Sequence, residues 1–433
     1  MRKISKISLV AAVAVAGLST ASAQPLEEAI KNVEVNGSVV YRYDNFDNEK
    51  VKGNDGRTEM NRYKIGLNLS SKVNDYVKFN SRFIVGDKHN MGWASANGSG
   101  SGLSAKKDGV GDGSADVNLS QAYFAITAIP NTVVNVGKQG LATPYTVAQD
   151  INGNEHSGTG ILALTNIDVV TLGAGYFNST NIDKSGEGAS VGNGIYTTKT
   201  TVIGQDLFGD DVTTSTTTEG KVIKGGSDVY VATAQADLDF VKLEAWYLGM
   251  QDTFNSYTLA ATGNVELAEN AKLDLEARYV NLKLDSKTGI TGDDRKNDMF
   301  RAAVAGKFDI VNARVAYTRT GKHGGLTAVD QDAKNASLGW AINSFVTKAN
   351  YWQAALGADI LENLNFTLNY GDLRSKANYD NTKQKEVYGQ LTYKMSKNLS
   401  TYVRYGNYTE KDYKGGSKNV DENRGRIQVA YTF

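Results

Sequence analysis

From residue 33 the chain alternates. Val33, Val35, Val39, Tyr41 and Tyr43 share one parity, and Glu34, Asn36, Ser38, Arg42 and Asp44 share the other. A period of two is the mark of a strand with one apolar face. The pattern returns down the chain. Tyr63, Ile65, Leu67 and Leu69 oppose Arg62, Lys64 and Asn68, and Val77, Phe79 and Phe83 oppose Lys78, Asn80 and Arg82. Leu273, Leu275 and Tyr279 oppose Lys272, Asp274, Glu276 and Arg278, and Leu364, Phe366, Leu368 and Tyr370 oppose Asn365, Thr367 and Asn369. Shorter repeats run through 241–247, 311–317, 390–394 and 403–405. Many runs approach the nine to eleven residues that a tilted strand needs to cross a bilayer. Charges such as Arg42 and Glu34 on the polar parity would be costly in a dry core, whereas a water-filled lumen accepts both.

The connections between runs alternate in length. Short ones fall at 71–74, 130–131, 165–167, 238–240, 269–270, 309–310, 361–363 and 396–398. Long polar ones fall at 45–57, 88–116, 141–157, 178–227, 251–255, 285–297, 321–350, 375–384 and 412–421. An antiparallel barrel with both termini on one side needs an even strand number, long external loops and short periplasmic turns. The fold expected is therefore all-β: a transmembrane antiparallel β-barrel of about 18 strands, with about 16 as the alternative. The weakest strand patterns are at 158–164 and near Tyr351. Closure is also how such a sheet avoids open edges in lipid.

The N-terminus changes the compartment. Arg2, Lys3 and Lys6 precede an apolar stretch over 7–18, and Ala21-Ser22-Ala23 is a small-x-small cleavage site. This predicts a cleaved signal peptide over 1–23, too short to span as a helix, with the barrel domain occupying 24–433. Composition fits. There are 3 prolines, suiting a chain that needs its ladder donors, and no cysteines, so no disulfide framework. Tyr (23) outnumbers Phe (13), as in aromatic girdles at membrane interfaces. Formal net charge is zero before the basic signal is removed, which gives no support to nucleic-acid binding. The segments 95–113, rich in Gly and Ser, and 197–220, rich in Thr, read as polar surface loops. No enzyme is expected: the 3 histidines, His89, His156 and His323, lie far apart, and no nucleophile elbow, HExxH or phosphate loop is present.

The last strand ends Ile427-Gln428-Val429-Ala430-Tyr431-Thr432-Phe433. It resembles the closing strand of bacterial outer-membrane barrels, in which the aromatic end is read by the barrel-assembly machinery. Tyr431 and Phe433 are the candidate signal. The segment 25–35 (PLEEAIKNVEV), then Gly37 and Tyr41-Arg42-Tyr43-Asp44, resembles the mature start of the Campylobacter-type major outer-membrane porins. Val136-Gly137-Lys138-Gln139 followed by Gly158-Thr159-Gly160 is similar to that family's flanks of the constriction loop. The resemblance implies an eighteen-stranded, trimeric, water-filled channel with weak cation preference, embedded in outer-membrane lipid and lipopolysaccharide. No cofactor is required, although some members hold calcium near the constriction.

A porin needs a constriction, and charges at the narrowest point set ion preference. The loop 141–157 is the candidate infolded loop, with Asp150 and Glu155 as its acids. The candidate basic wall is Arg42, Arg62, Lys64 and Arg82 by parity, and Lys138 by resemblance. Asp150-Ile151-Asn152-Gly153-Asn154-Glu155 is dense in oxygen ligands but lacks EF-hand spacing, so spacing alone reads as a solvated turn. The resemblance adds Asp150 as a calcium ligand. The expected function is a general diffusion porin passing small hydrophilic solutes and ions. The alternatives are a substrate-specific monomeric channel, marked by a lumen ladder of one sign or an aromatic slide, and a structural or adhesive barrel. Mixed signs on the polar faces favour the general porin.

Overall fold

The computed structural model describes residues 33–51, 54–87, 91–95, 115–184, 197–205, 211–218, 223–290, 292–376, 381–412 and 415–433. The signal segment, residues 25–32 of the family-like N-terminus, His89 and most of 95–113 lie outside these residues.

Eighteen described strands form the wall: β1 (Val33–Val51), β2 (Asn54–Asn74), β3 (Val77–Gly86), β4 (Asp116–Ile126), β5 (Thr132–Gly140), β6 (Ser157–Ile167), β7 (Val170–Thr180), β8 (Val229–Asp237), β9 (Val241–Met250), β10 (Phe254–Ala268), β11 (Ala271–Leu284), β12 (Lys296–Phe308), β13 (Val311–Thr320), β14 (Ala349–Leu361), β15 (Leu364–Ser375), β16 (Thr382–Lys394), β17 (Leu399–Asp412) and β18 (Lys418–Thr432). Each pairs antiparallel with its neighbours in chain order. β1 closes on β18, with Tyr41 opposite Val429 and Asp44 opposite Arg426. The closed ladder satisfies backbone groups that lipid cannot. No α-helix occurs among the described residues.

Parity decides the faces. Val35, Tyr41, Leu259, Val304 and Ile427 are exposed on the outer surface, while Arg42 and Asp44 are buried inside. Cross-strand aromatic pairs mark the outer surface toward the long-loop end. Tyr176–Tyr230, Tyr247–Tyr257 and Tyr317–Trp352 have ring centroids 5.5, 5.2 and 4.7 Å apart. Such girdles suit an interface with one wet side. At the opposite end, Asn131, Asp168, Asp239 and Asp309 turn the chain at φ 57°, 53°, 62° and 52°. Short polar side chains tolerate this left-handed region.

Several expected boundaries move. The segments 45–57 and 251–255 are not long loops: β1 and β2 stay paired to Val51 and Asn54, and residues 251–253 alone join β9 to β10. The turn expected at 71–74 sits at 75–76, and that at 165–167 sits at 168–169. Part of 197–220 is a two-stranded ribbon, Thr197–Gln205 with Asp211–Thr218. Two long connections, 141–156 and 321–348, turn into the barrel.

Candidate functional site

The first inward loop is held by the wall of β1 to β4. On β2 the Lys64 ammonium donates to the carbonyl oxygens of Asp150 and, at 2.8 Å, of Gly153. On β3 the Arg82 guanidinium forks onto Glu155, Nε to Oε2 at 2.9 Å and Nη2 to Oε1 at 2.7 Å. Ser120 Oγ donates to the same carboxylate at 2.8 Å. Gly66 makes room for this pair, since a Cβ there would lie 2.6 Å from Arg82 Nη2. On β1 Arg42 donates to Gln428 Oε1 and Asn152 Oδ1, both at 2.8 Å. Its guanidinium lies 4.4 Å from the centre of the Trp93 ring. Beside it, Asp44 accepts from Arg62 and, at 2.5 Å, from Arg426 Nε.

The second inward loop, 321–348, was expected only as a long polar connection. Arg301 on β12 donates to the carbonyls of Ala336 at 2.6 Å and Lys334 at 2.9 Å, while its other edge pairs with Glu276. Glu386 on β16 accepts from the backbone N–H of Trp340 at 3.1 Å and of Ala341 at 2.7 Å. Gly339 is needed for this clasp, because a Cβ would overlap Glu386 Oε1 at 1.6 Å. The loops also bond to each other. Val329 N–H donates to Tyr145 O at 3.0 Å, and Asn335 N–H to Pro144 O at 2.8 Å.

Where the loops meet, three carboxylates face one another. Oxygens of Asp150, Asp330 and Asp332 lie within 4.8 Å of each other. Asp150 accepts from Asn152 N–H at 2.7 Å and Asp330 from Asp332 N–H at 2.8 Å, so each begins a tight Asx turn. Asp150 Oδ2 and Asp332 Oδ2 have no hydrogen-bond partner among the described residues. Burial, with the charges of Asp330 and Asp332, pushes the Asp150 carboxyl up to about 8. An all-oxygen donor set with unpaired lone pairs fits a hard divalent cation such as calcium. Behind it, His156 Nδ1 accepts from Val147 N–H at 3.1 Å, which leaves its proton on Nε2, 4.0 Å from Asp330 Oδ2. Burial lowers the His156 pKa to about 4, so the ring is neutral here at pH 7.

Of the residues singled out from sequence, Arg42, Arg62, Lys64, Arg82, Asp150 and Glu155 converge on this region. Glu155 is fully buried against Arg82, so it anchors the loop and does not face open water. Lys138 is a correction. Asn135 and Gln139 take the inward positions of β5, which puts Lys138 on the outward parity of Val136, opposite Thr159. Its ammonium donates to Leu119 O at 2.6 Å on the outer side. Tyr431 and Phe433 face outward with rings stacked at 5.9 Å, and Phe433 exchanges backbone hydrogen bonds with Gly37. Asp330, Asp332, Trp93, Trp340, Arg424 and Arg426 were missed. The one available signal for the acids was the repeat of the Asp-x-Asx pattern, Asp150-Ile151-Asn152 and Asp330-Gln331-Asp332.

Comparison with known proteins adds the lineage. The model of the Campylobacter major outer membrane protein family matches residues 1–433. Among solved structures, the chain is similar to OpdL of Pseudomonas aeruginosa, with 15% identity, TM-score 0.65, and 93% of this chain and 99% of that one covered. OpdK of the same organism, solved with vanillate, is 11% identical with TM-score 0.65, covering 93% and 99%. OccAB1 of Acinetobacter baumannii is 16% identical with TM-score 0.66, covering 92% and 96%. At these identities the likeness is one of fold. No curated protein matches the chain significantly. The chain belongs to the Campylobacter major outer membrane protein family and is an outer-membrane β-barrel of porin fold.

Proposed function

We propose that the protein is a passive diffusion channel for small hydrophilic solutes and ions, narrowed by the loops 141–156 and 321–348. The observation that carries this reading is the meeting of the two loops inside a closed barrel, with an acidic group on the loops and guanidinium groups on the wall. Opposed charges at a narrow point tune ion preference. Asp150, Asp330 and Asp332 would hold a divalent cation, calcium by chemistry. It would neutralise the carboxylates and tie one loop to the other. The homotrimer, the weak cation preference and recognition of Tyr431 and Phe433 by the assembly machinery rest on likeness to the family.

Single-channel recording in a planar bilayer, with reversal potential under a salt gradient, tests the reading. Stable current steps are expected, closing as a trimer, with a small reversal potential of cationic sign. Folded protein without conductance overturns the channel and points to a structural or adhesive barrel. A substrate-specific channel is the second reading, favoured by inward arginines on four adjacent strands: Arg404 of β17 stands opposite Arg426 of β18, and Arg42 of β1 opposite Arg62 of β2.

A further inference from the structure

At the long-loop end the outer surface differs from one side of the barrel to the other. Over β7 to β10 the girdle tyrosines meet acidic or neutral partners: Tyr230 donates to Asp228 Oδ2 at 3.5 Å and Tyr247 to Asn255 Oδ1 at 2.6 Å. Over β13 to β17 the girdle is overlaid by cations. Tyr317, stacked beside Trp352, donates to Asn350 Oδ1 at 2.6 Å. The register row that holds Asn350 is basic on both sides. Arg319 stands opposite Asn350, Asn350 opposite Arg374, Arg374 opposite Lys383 and Lys383 opposite Lys411. These positions share the outward parity of Tyr317 and Trp352, and Arg319, Arg374 and Lys411 are exposed. Lys385 sits two residues nearer the girdle on β16, its ammonium 5.8 Å from the Tyr370 ring centre.

Like charges directly across a ladder are destabilising, and Arg374, Lys383 and Lys411 stand in one line. Among the described residues, Asp372 is the one acid on the outward positions of β13 to β17. It accepts from Arg374 Nε at 2.7 Å and Nη2 at 3.1 Å, and Lys385 Nζ lies 3.3 Å away. Its side chain is 7% exposed, against 49% for Arg374 and 42% for Lys385. The carboxylate is therefore engaged within the wall while the cations face outward. The next outward acids lie beyond the row, Asp298 on β12 and Asp421, tied to Lys418, on β18. A row placed just above an aromatic band sits at head-group level, where clustered Lys and Arg recognise anionic lipid. A guanidinium fork matches phosphate oxygens, and ammonium groups add point charge. The long-loop end faces the outer leaflet, whose lipopolysaccharide carries phosphates directly above its acyl chains. We propose that the outward row of Arg319, Arg374, Lys383 and Lys411, with Lys385, is a docking surface for the phosphates of outer-leaflet lipopolysaccharide. The acyl chains lie below it against Trp352 and Leu356, both exposed. This docking depends on the outer-membrane barrel and not on the channel reading.

The test is native mass spectrometry of the folded full chain in non-ionic detergent, titrated with bisphosphorylated lipid A. The comparison lipids are the same lipid A stripped of both phosphates and phosphatidylglycerol, and inorganic phosphate is added as a competitor. Lipid A should be retained about tenfold or more tightly than its dephosphorylated form, and less tightly as ammonium acetate is raised. K383Q/K411Q should lose about tenfold or more of that retention, and K383R/K411R should keep it. K242Q, on an unrelated ion pair near the short turns, should change nothing. Equal retention of dephosphorylated lipid A, or unaltered retention in K383Q/K411Q, overturns the docking surface. Equal retention of phosphatidylglycerol overturns the assignment to lipopolysaccharide, as does full displacement by inorganic phosphate at the concentration of the lipid. If K383Q/K411Q fails to show heat-modifiable migration, R319Q decides in its place, and wild-type retention there overturns the proposal.

Discussion

The two halves of the lumen are built from the same alternation and filled in opposite ways. Along β7 to β12, the inward residues near the long-loop end are apolar: Phe177, Val229, Val231, Leu248, Val280 and Leu282 are all buried. Leu141 and Tyr145 of the first loop and Val329 of the second pack onto them, so this half is a dry core. Along β17, β18, β1 and β2, the equivalent positions carry arginines and Asp44, and the loops meet this wall through the hydrogen bonds of Arg42 to Asn152 and of Arg424 to Trp340 O. A loop inside a wet barrel must be held against solvation and chain entropy. Apolar burial does most of this on one side, at about 1.5–3 kcal/mol per large side chain, with Arg278 and Arg301 bonding the second loop below the apolar layer, and charge-assisted bonds do it on the other side. The dry side fixes where the loops sit; the wet side leaves charge available to solutes.

Breaking the ion pair on β3, which continues the wet half, should cost most. Arg82→Leu strands the buried Glu155 carboxylate, a loss of about 3–5 kcal/mol in loop docking. Protease cleavage within 141–156 should appear in a barrel that stays heat-modifiable, with larger and noisier current steps. Intact loops in that variant would mean that the dry half alone holds them.

Acid should loosen the seam between the halves. His156 has a folded pKa near 4 against an ordinary 6.5, so docking is favoured above pH 6.5 and loses stability as pH falls toward 4. The loss is about 3 kcal/mol at most. Asp150, raised to about 8, acts with the opposite sign in cation-free protein: its contribution is present below its ordinary carboxylate pKa and is lost as pH rises through about 8. With calcium bound, protons compete with the ion, and both groups then favour release in acid. Loop protection followed from pH 7.5 to 4 in calcium should fall, and H156N should flatten part of the drop.

Chelation should have a somewhat smaller effect. Removing a cation present at a hundredfold over its Kd costs about 2.7 kcal/mol. The expected result is a lower unfolding temperature in EGTA, restored by calcium, with stronger cation preference because the acidic group of the loops loses its counter-ion even though Asp150 then takes up a proton near neutral pH. No change in either quantity would remove the cation from the site. The smallest effect belongs to the dry half. Tyr145→Phe deletes the hydrogen bond between its hydroxyl and Thr258 Oγ1 at 2.9 Å, about 1 kcal/mol, with conductance unchanged. A large conductance change there would show that the dry core also gates the aperture.

The outer surface was legible because lipid asks every strand the same question. Val35, Tyr41, Leu275 and Phe366 face outward as their parity predicts. The wall to which Arg42, Lys64 and Arg82 belong was legible for the same reason. The inner surface of β8 to β11 was not. Val229-Tyr230-Val231 and Trp246-Tyr247-Leu248 are apolar on both parities, so alternation alone does not tell the inner face from the outer until loops are known to dock inside. Hairpin length was misread at 45–57, since above the membrane neither face must be apolar and a paired polar strand looks like a loop.

From the sequence alone came the closed sheet, a strand number of about 18, its outward face and the basic residues of β1 to β3, because period-two patterning against lipid is a local constraint repeated at every strand. Tertiary structure alone decided that 321–348 turns inward, that Asp330 and Asp332 meet Asp150, that Lys138 points out, and that Arg424 reaches the second loop at Trp340 O. Those outcomes depend on residues up to hundreds of positions apart meeting inside one lumen, where long-range charge and packing choose the partners and local pattern has no vote.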